Sequence, residues 1–194
     1  MDLSFKKDII ECLLFVSGKP LSVKRINEVL EEFDEEVARK LLAELQIEYE
    51  TLGRPFSIVE IAEGFQIVTK PQFAVWIKRL YKARIVTRLS KAALETLAIV
   101  SYKQPVTRLE IEGIRGVSTE GVLETLLERN LIAIKGRKEC IGRPLLYGTT
   151  QEFLRYFGLK SLVDLPRVEE LLNYLRGDEK TCQKNGKIEE SIRD

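Results

Sequence analysis

Apolar residues recur at helical spacing through the first third of the chain. Phe5, Ile9, Ile10, Leu13, Leu14 and Val16 make a broad apolar face over residues 4–17, with Ser4 placed as a cap, and predict an amphipathic helix. Gly18 and Pro20 break it. Ser22 then opens a short second helix carrying Val23, Ile26, Val29 and Leu30, and Asp34 a third carrying Val37, Leu41, Leu42, Leu45 and Tyr49. After Gly53 and Pro55 the period shortens. FSIVEIAEGFQIVT is rich in β-branched and aromatic residues around Glu63-Gly64, which predicts a hairpin. A helix over about residues 71–81 follows, with Phe73, Trp76, Leu80 and Tyr81 on one face, a pattern more typical of core or interface than of a stacking platform.

The same order then repeats. Ser90 caps KAALETLAIVSY, Thr107 caps a short helix with Glu110 completing a T-x-x-E capping box, and Ser118 is placed to cap EGVLETLLERN. Residues 131–134 read as a strand that ends at Gly136. A glycine-punctuated turn through Gly142-Arg143-Pro144 leads to a return strand over 145–148, and TQEFLRYFG closes the segment as a helix. The two halves align by letter: ECLLFVS at Glu11 overlies ETLAIVS at Glu95, and GFQIVTKPQF at Gly64 parallels GRPLLYGTTQEF at Gly142.

Three helices followed by a two-stranded hairpin is the winged-helix form of the helix-turn-helix. The expected fold is therefore α+β and mainly helical, with two tandem winged-helix domains at 1–81 and 89–165. Residues 82–88 form a linker between them. From residue 166 the composition turns polar, so 166–194 are expected to be a largely disordered tail with one short helix around 168–175.

Winged helices often bind DNA, but side chains decide the matter. The third helix of the second half has Val122, Leu123, Leu126 and Leu127 on its apolar side and Glu120, Glu124 and Glu128 stacked on the opposite face. The third helix of the first half carries Glu35, Glu36, Glu44 and Glu48 beside Arg39 and Lys40. Phosphates would meet carboxylates, whereas groove readers present Arg, Lys, Asn or Gln. Lys and Arg number 31 against 30 Asp and Glu overall, but 12 against 7 over residues 82–150. The basic edge formed by Lys82, Arg84, Arg88, Lys91 and the wing allows at most a weak or indirect DNA contact and fits an acidic protein partner better.

No chemistry assembles. The chain has no histidine, and Cys12, Cys140 and Cys182 are too scattered for a metal site or a disulfide framework, which points to a reducing cytoplasm. GRKECIGRP lacks phosphate-loop spacing and leads into a strand rather than a helix. Neither a signal peptide nor a membrane span is expected from MDLSFKKDIIECLLFVSGK, and no small-molecule substrate is indicated. Instead, apolar residues on more than one side of the first helix (Phe5, Ile9, Ile10, Leu13 and Phe15) predict a homodimer interface.

Residues 89–166 resemble segregation and condensation protein B (ScpB), the bacterial partner of structural maintenance of chromosomes (SMC) complexes. YKQPVTRLEIEGIRGV, LIAIKGRKECIGRPLLYGTT and YFGLKSLVDLP carry the resemblance; LLFVSGKPLS and GFQIVTKPQF extend it more weakly into the first half. Cys140 and Ile141 depart from the family, which commonly has an acidic residue and a proline before Gly142. The resemblance implies two winged-helix domains, dimerisation through the first, and binding of the kleisin ScpA, which bridges the heads of the SMC ATPase. It also implies a role in chromosome condensation and segregation on the nucleoid, without catalysis or cofactor. The expected kleisin-facing residues are Tyr102, Lys103, Arg108, Ile111, Arg115, Arg137 and Arg143, with charge reversal at Arg108 or Arg115 expected to weaken ScpA binding without changing the melt. The competing reading is a tandem winged-helix transcriptional regulator.

Overall fold

A computed structural model describes residues 2–31, 34–81 and 88–167 of the 194. The expected linker (apart from Arg88), the short helix at 168–175 and Cys182 lie outside the described residues. The chain divides into units at residues 1–162 and 163–194, and the architecture below is that of the first.

α1 (Leu3–Val16) begins one residue earlier than its sequence suggests: Asp2, not Ser4, is the N-cap, and it makes no side-chain cap bond. α2 (Val23–Leu30) and α3 (Glu35–Thr51) start where expected. The Ser22 hydroxyl accepts from the Arg25 amide, and the Asp34 carboxylate from that of Glu36. Their apolar faces meet in one core built from Ile10, Leu14, Ile26, Leu42 and Leu45, all essentially inaccessible to water. β1 (Phe56–Ile61) and β2 (Gly64–Thr69) form an antiparallel hairpin whose turn residues Ala62 and Glu63 both have positive φ. A 3-10 turn, Pro71–Phe73, leads into α4 (Ala74–Leu80), so the last predicted helix begins tighter than its period suggests.

The second half comprises α5 (Lys91–Lys103), β3 (Val106–Thr107), α6 (Arg108–Arg115), α7 (Glu120–Glu128), β4 (Ile132–Arg137), β5 (Leu145–Thr149) and α8 (Gln151–Phe157). The short β3, absent from the sequence reading, pairs Val106 with Tyr147 and makes a three-stranded sheet in the order β3-β5-β4. The first half holds a vestige of the same strand. Leu21 and Phe65 exchange both backbone hydrogen bonds, at 2.9 and 2.8 Å, directly after the KP turn that matches the QP turn before β3. That close approach excludes a side chain at Gly64, where a Cβ would lie 2.8 Å from the Leu21 carbonyl group.

β4 continues past Gly136 to Arg137 by means of a bulge between Ile134 and Gly136. The Gln104-Pro105 peptide is cis. Gln104 fixes the end of α5 to the sheet, its Oε1 accepting from the Thr149 amide at 2.7 Å and from the Thr149 hydroxyl at 3.0 Å. α6 ends on Gly116 in the left-handed region, as its sequence predicts. α7 is capped differently from expectation. Thr119 rather than Ser118 is its N-cap, and its amide donates to the Glu112 carboxylate of α6 at 3.0 Å.

Candidate interaction surfaces

Two surfaces follow from this framework. The first is the outer side of α1. At about 100° per residue, Phe5, Ile9, Cys12 and Val16 fall in one sector roughly opposite the core-facing Ile10 and Leu14, and Phe15 flanks that sector. Phe5 is 55% exposed and Phe15 78%, while Ile9 and Leu13 are half-buried. Ile10 is 0% exposed, a correction to its expected place at an interface: its phase directs it into the three-helix core. On α4, Trp76, Leu80 and Tyr81 are also exposed, with the Arg79 guanidinium 4.7 Å from the Trp76 ring centroid. The inner side of α1 is pinned to α3 by ionic and polar contacts. Lys7 pairs with Glu48, which holds the ammonium pKa above its usual value, and the Tyr49 hydroxyl donates to Glu11 at 2.6 Å. Burial together with that hydrogen bond pushes the Tyr49 pKa up to about 12.

The second surface lies between α6 and the wing formed by β4, β5 and their connecting turn. A cavity of about 320 Å³ is lined by Arg108, Leu109, Arg137, Arg143, Pro144 and Tyr147, among others. Arg108 opens α6 and pairs with Glu120 at 2.9 Å and Glu112 at 3.8 Å. Arg137 ends β4 and donates 3.1 Å to the Arg143 carbonyl, which holds the wing turn closed. Gly142 and Arg143 both have positive φ there, and both line the cavity.

Beside it, the capping box at the start of α6 is complete. The Glu110 carboxylate accepts from the Thr107 amide and hydroxyl, each at 2.8 Å, while the Thr107 hydroxyl accepts from the Glu110 amide at 3.3 Å. Lys138 on the wing pairs with the same carboxylate and, with the Thr107 donors, holds the Glu110 pKa down to about 2.

Three of the seven expected kleisin-facing residues, Arg108, Arg137 and Arg143, thus meet at one cavity. Tyr102 and Lys103 are at the end of α5 and do not line it. Ile111 is 0% exposed, so it is a core residue and not a contact surface. Arg115 is likewise turned inward. Its side chain is 13% exposed, pairs with Glu95 at 3.0 Å, and donates to the Ala92 carbonyl and the Thr96 hydroxyl. Sequence reasoning missed Leu109, which is 69% exposed at the cavity mouth. The capping box sets the start of α6, and from that phase Leu109 could have been placed outside.

The carboxylates of Glu120, Glu124 and Glu128 are on the exposed side of α7, whose Leu123 and Leu126 are buried. Among the described residues, no group of His, Cys, Asp and Glu could hold a metal ion, and no helix is long and apolar enough to cross a membrane. Cys12 and Cys140 are exposed free thiols.

The family described as segregation and condensation complex subunit ScpB matches residues 8–168. The segregation and condensation protein B of Syntrophotalea carbinolica is 48% identical over 92% of this chain and 90% of its own length. That of Brevibacillus brevis is 45% identical over the whole of both chains, and that of Symbiobacterium thermophilum 53% identical over 84% of this chain and 74% of its own. The crystal structure of ScpB from Mycobacterium tuberculosis is 31% identical, covers 82% of this chain and 98% of that chain, and superposes with a TM-score of 0.40. A dimer of the ScpB N-terminal domain complexed with ScpA peptide is 35% identical over 40% of this chain and 96% of that chain, with a TM-score of 0.38. A family match across both winged-helix halves, with relatives of comparable length at close to half identity, makes this chain a member of the segregation and condensation protein B family, subunits of a complex rather than enzymes.

Proposed function

We propose that this chain dimerises through its first winged-helix domain (1–81) and uses its second (89–165) to bind the kleisin ScpA. Through ScpA it joins the SMC ATPase on the nucleoid in the cytoplasm and supports chromosome condensation and segregation. The observation that carries this reading is the opposition between α7 and its neighbours: the helix that would enter a DNA groove exposes Glu120, Glu124 and Glu128, while guanidinium groups gather at the adjoining cavity. Family membership supplies the partner, and the exposed side of α1 supplies a surface for a second copy.

Size exclusion with light scattering of the chain, alone and mixed with ScpA, tests both claims. The expected result is a dimer mass alone and a larger, co-eluting species with ScpA. A monomer that ignores ScpA would defeat the reading. A gel-shift series at physiological salt separates it from the transcriptional-regulator alternative, which requires specific binding to duplex DNA in the absence of ScpA.

A further inference from the structure

The cavity between α6 and the wing is lined by side chains of two different chemistries. Leu109, Pro144, Leu145 and Tyr147 provide apolar surface, and Arg108, Arg137 and Arg143 surround it with three guanidinium groups. Among the described residues, Arg108 alone of the three has its charge answered, by Glu120 and Glu112. The Arg137 side chain is spent on a neutral carbonyl, and neither Arg137 nor Arg143 has a carboxylate partner among the described residues. Among the described residues, two positive charges therefore stand without a carboxylate beside apolar surface that water solvates poorly.

Resting on the proposed kleisin partnership, we infer that this groove docks an acidic peptide segment of that partner carrying one large apolar side chain. The apolar side chain seats against Leu109, Pro144 and Tyr147, and flanking Asp or Glu carboxylates accept from the Arg137 and Arg143 guanidiniums. Planar guanidinium groups favour bidentate carboxylate contacts, which add direction to the charge attraction. The cavity, at about 320 Å³, is at the lower end of the range for ligand pockets, which suits one anchoring side chain rather than a whole helix. A DNA backbone fits the site less well. Its phosphates would meet the Glu120 carboxylate, already bound to Arg108, and would have no use for the apolar lining.

The test measures ScpA binding to the full chain by calorimetry, using R143E and L109D, two substitutions of exposed side chains, with R39E on α3 as a charge-reversal control. R143E and L109D are each expected to weaken binding by roughly tenfold or more with unchanged melting, R143E is expected to flatten its salt dependence, and R39E to match wild type. Wild-type-like affinity in both groove variants would overturn this inference and leave the kleisin reading standing. Failure of the wild-type chain to bind ScpA would overturn both. Loss of duplex DNA binding in R143E, or a change in oligomer mass in L109D, would overturn it by assigning the groove to nucleic acid or to a second copy.

Discussion

The Arg115 guanidinium donates to the Ala92 carbonyl at 2.8 Å, tying the last turn of α6 to the start of α5. The same side chain reaches Thr96, which is fully buried, and Glu95 at the surface. Arg115 therefore holds two helices of the second half together. Arg115→Ala is expected to lower stability by about 2 kcal/mol, since it removes two hydrogen bonds from α6 to α5, although the Thr96 hydroxyl still donates to the Ala92 carbonyl. Urea denaturation checks the value. A melt unchanged in Arg115→Ala would restore the sequence-based expectation that Arg115 serves only a partner.

Gly64 and Gly18 should respond oppositely to alanine. A Cβ at Gly64 would sit 2.8 Å from both the carbon and the oxygen of the Leu21 carbonyl, and backbone cannot rotate out of the way as a side-chain tip can. Gly64→Ala should cost about 2 kcal/mol by forcing the Leu21-Phe65 bridge apart. At Gly18 nothing lies within 4 Å of the added methyl and φ is not in the left-handed region, so Gly18→Ala should be neutral or gain about 0.5 kcal/mol through the unfolded chain. Denaturant midpoints of the two variants, measured side by side, decide it.

Acid should weaken the tie between α6 and the wing. The Glu110 carboxyl is held below its ordinary value of 4.5, at about 2, by Lys138 and the Thr107 donors. A depressed folded-state pKa contributes stability that is fully present above 4.5 and disappears as pH falls toward 2. The melting temperature of wild type should therefore exceed that of Glu110→Gln at neutral pH, with the gap closing between pH 4.5 and 2. A gap independent of pH over that window would show that the capping geometry, not the carboxylate charge, carries the effect.

The sequence made the helices, both wings and most caps legible because each has a local signature: Ser22, Asp34, Ser90 and the Thr107–Glu110 box all cap where they read. What it hid depended on partners distant in sequence. Ser118 is the better cap by composition, but the Glu112 carboxylate on the preceding helix accepts from the Thr119 amide where Thr119 takes the cap position. Arg115 looks like a surface cation until α5 is packed against it, and Ile10 and Ile111 look available until neighbouring helices cover them. β3 was too short to carry a period, and its position is fixed by Tyr147 and Leu146 on the returning strand.

The outer side of α1 yields the sharpest contrast between neighbours. Phe15 and Val16 are exposed in the last turn and Phe5 in the first, an exposed apolar surface of the kind that marks interaction sites. If that side is covered by a second copy, Phe5→Glu and Phe15→Glu each place a charge in an apolar contact. Each should shift the light-scattering mass from dimer to monomer at micromolar concentration. Neither touches the core built on Ile10 and Leu14, so stability of the monomeric unit should stay within about 0.5 kcal/mol, as for ordinary surface changes. Ile10→Glu, five residues from both, should instead abolish the cooperative melt, because it buries a carboxylate against Leu42 and Leu45 with no partner. A dimer mass retained by both phenylalanine variants would remove α1 from the interface and direct attention to the exposed Trp76 and Leu80 of α4.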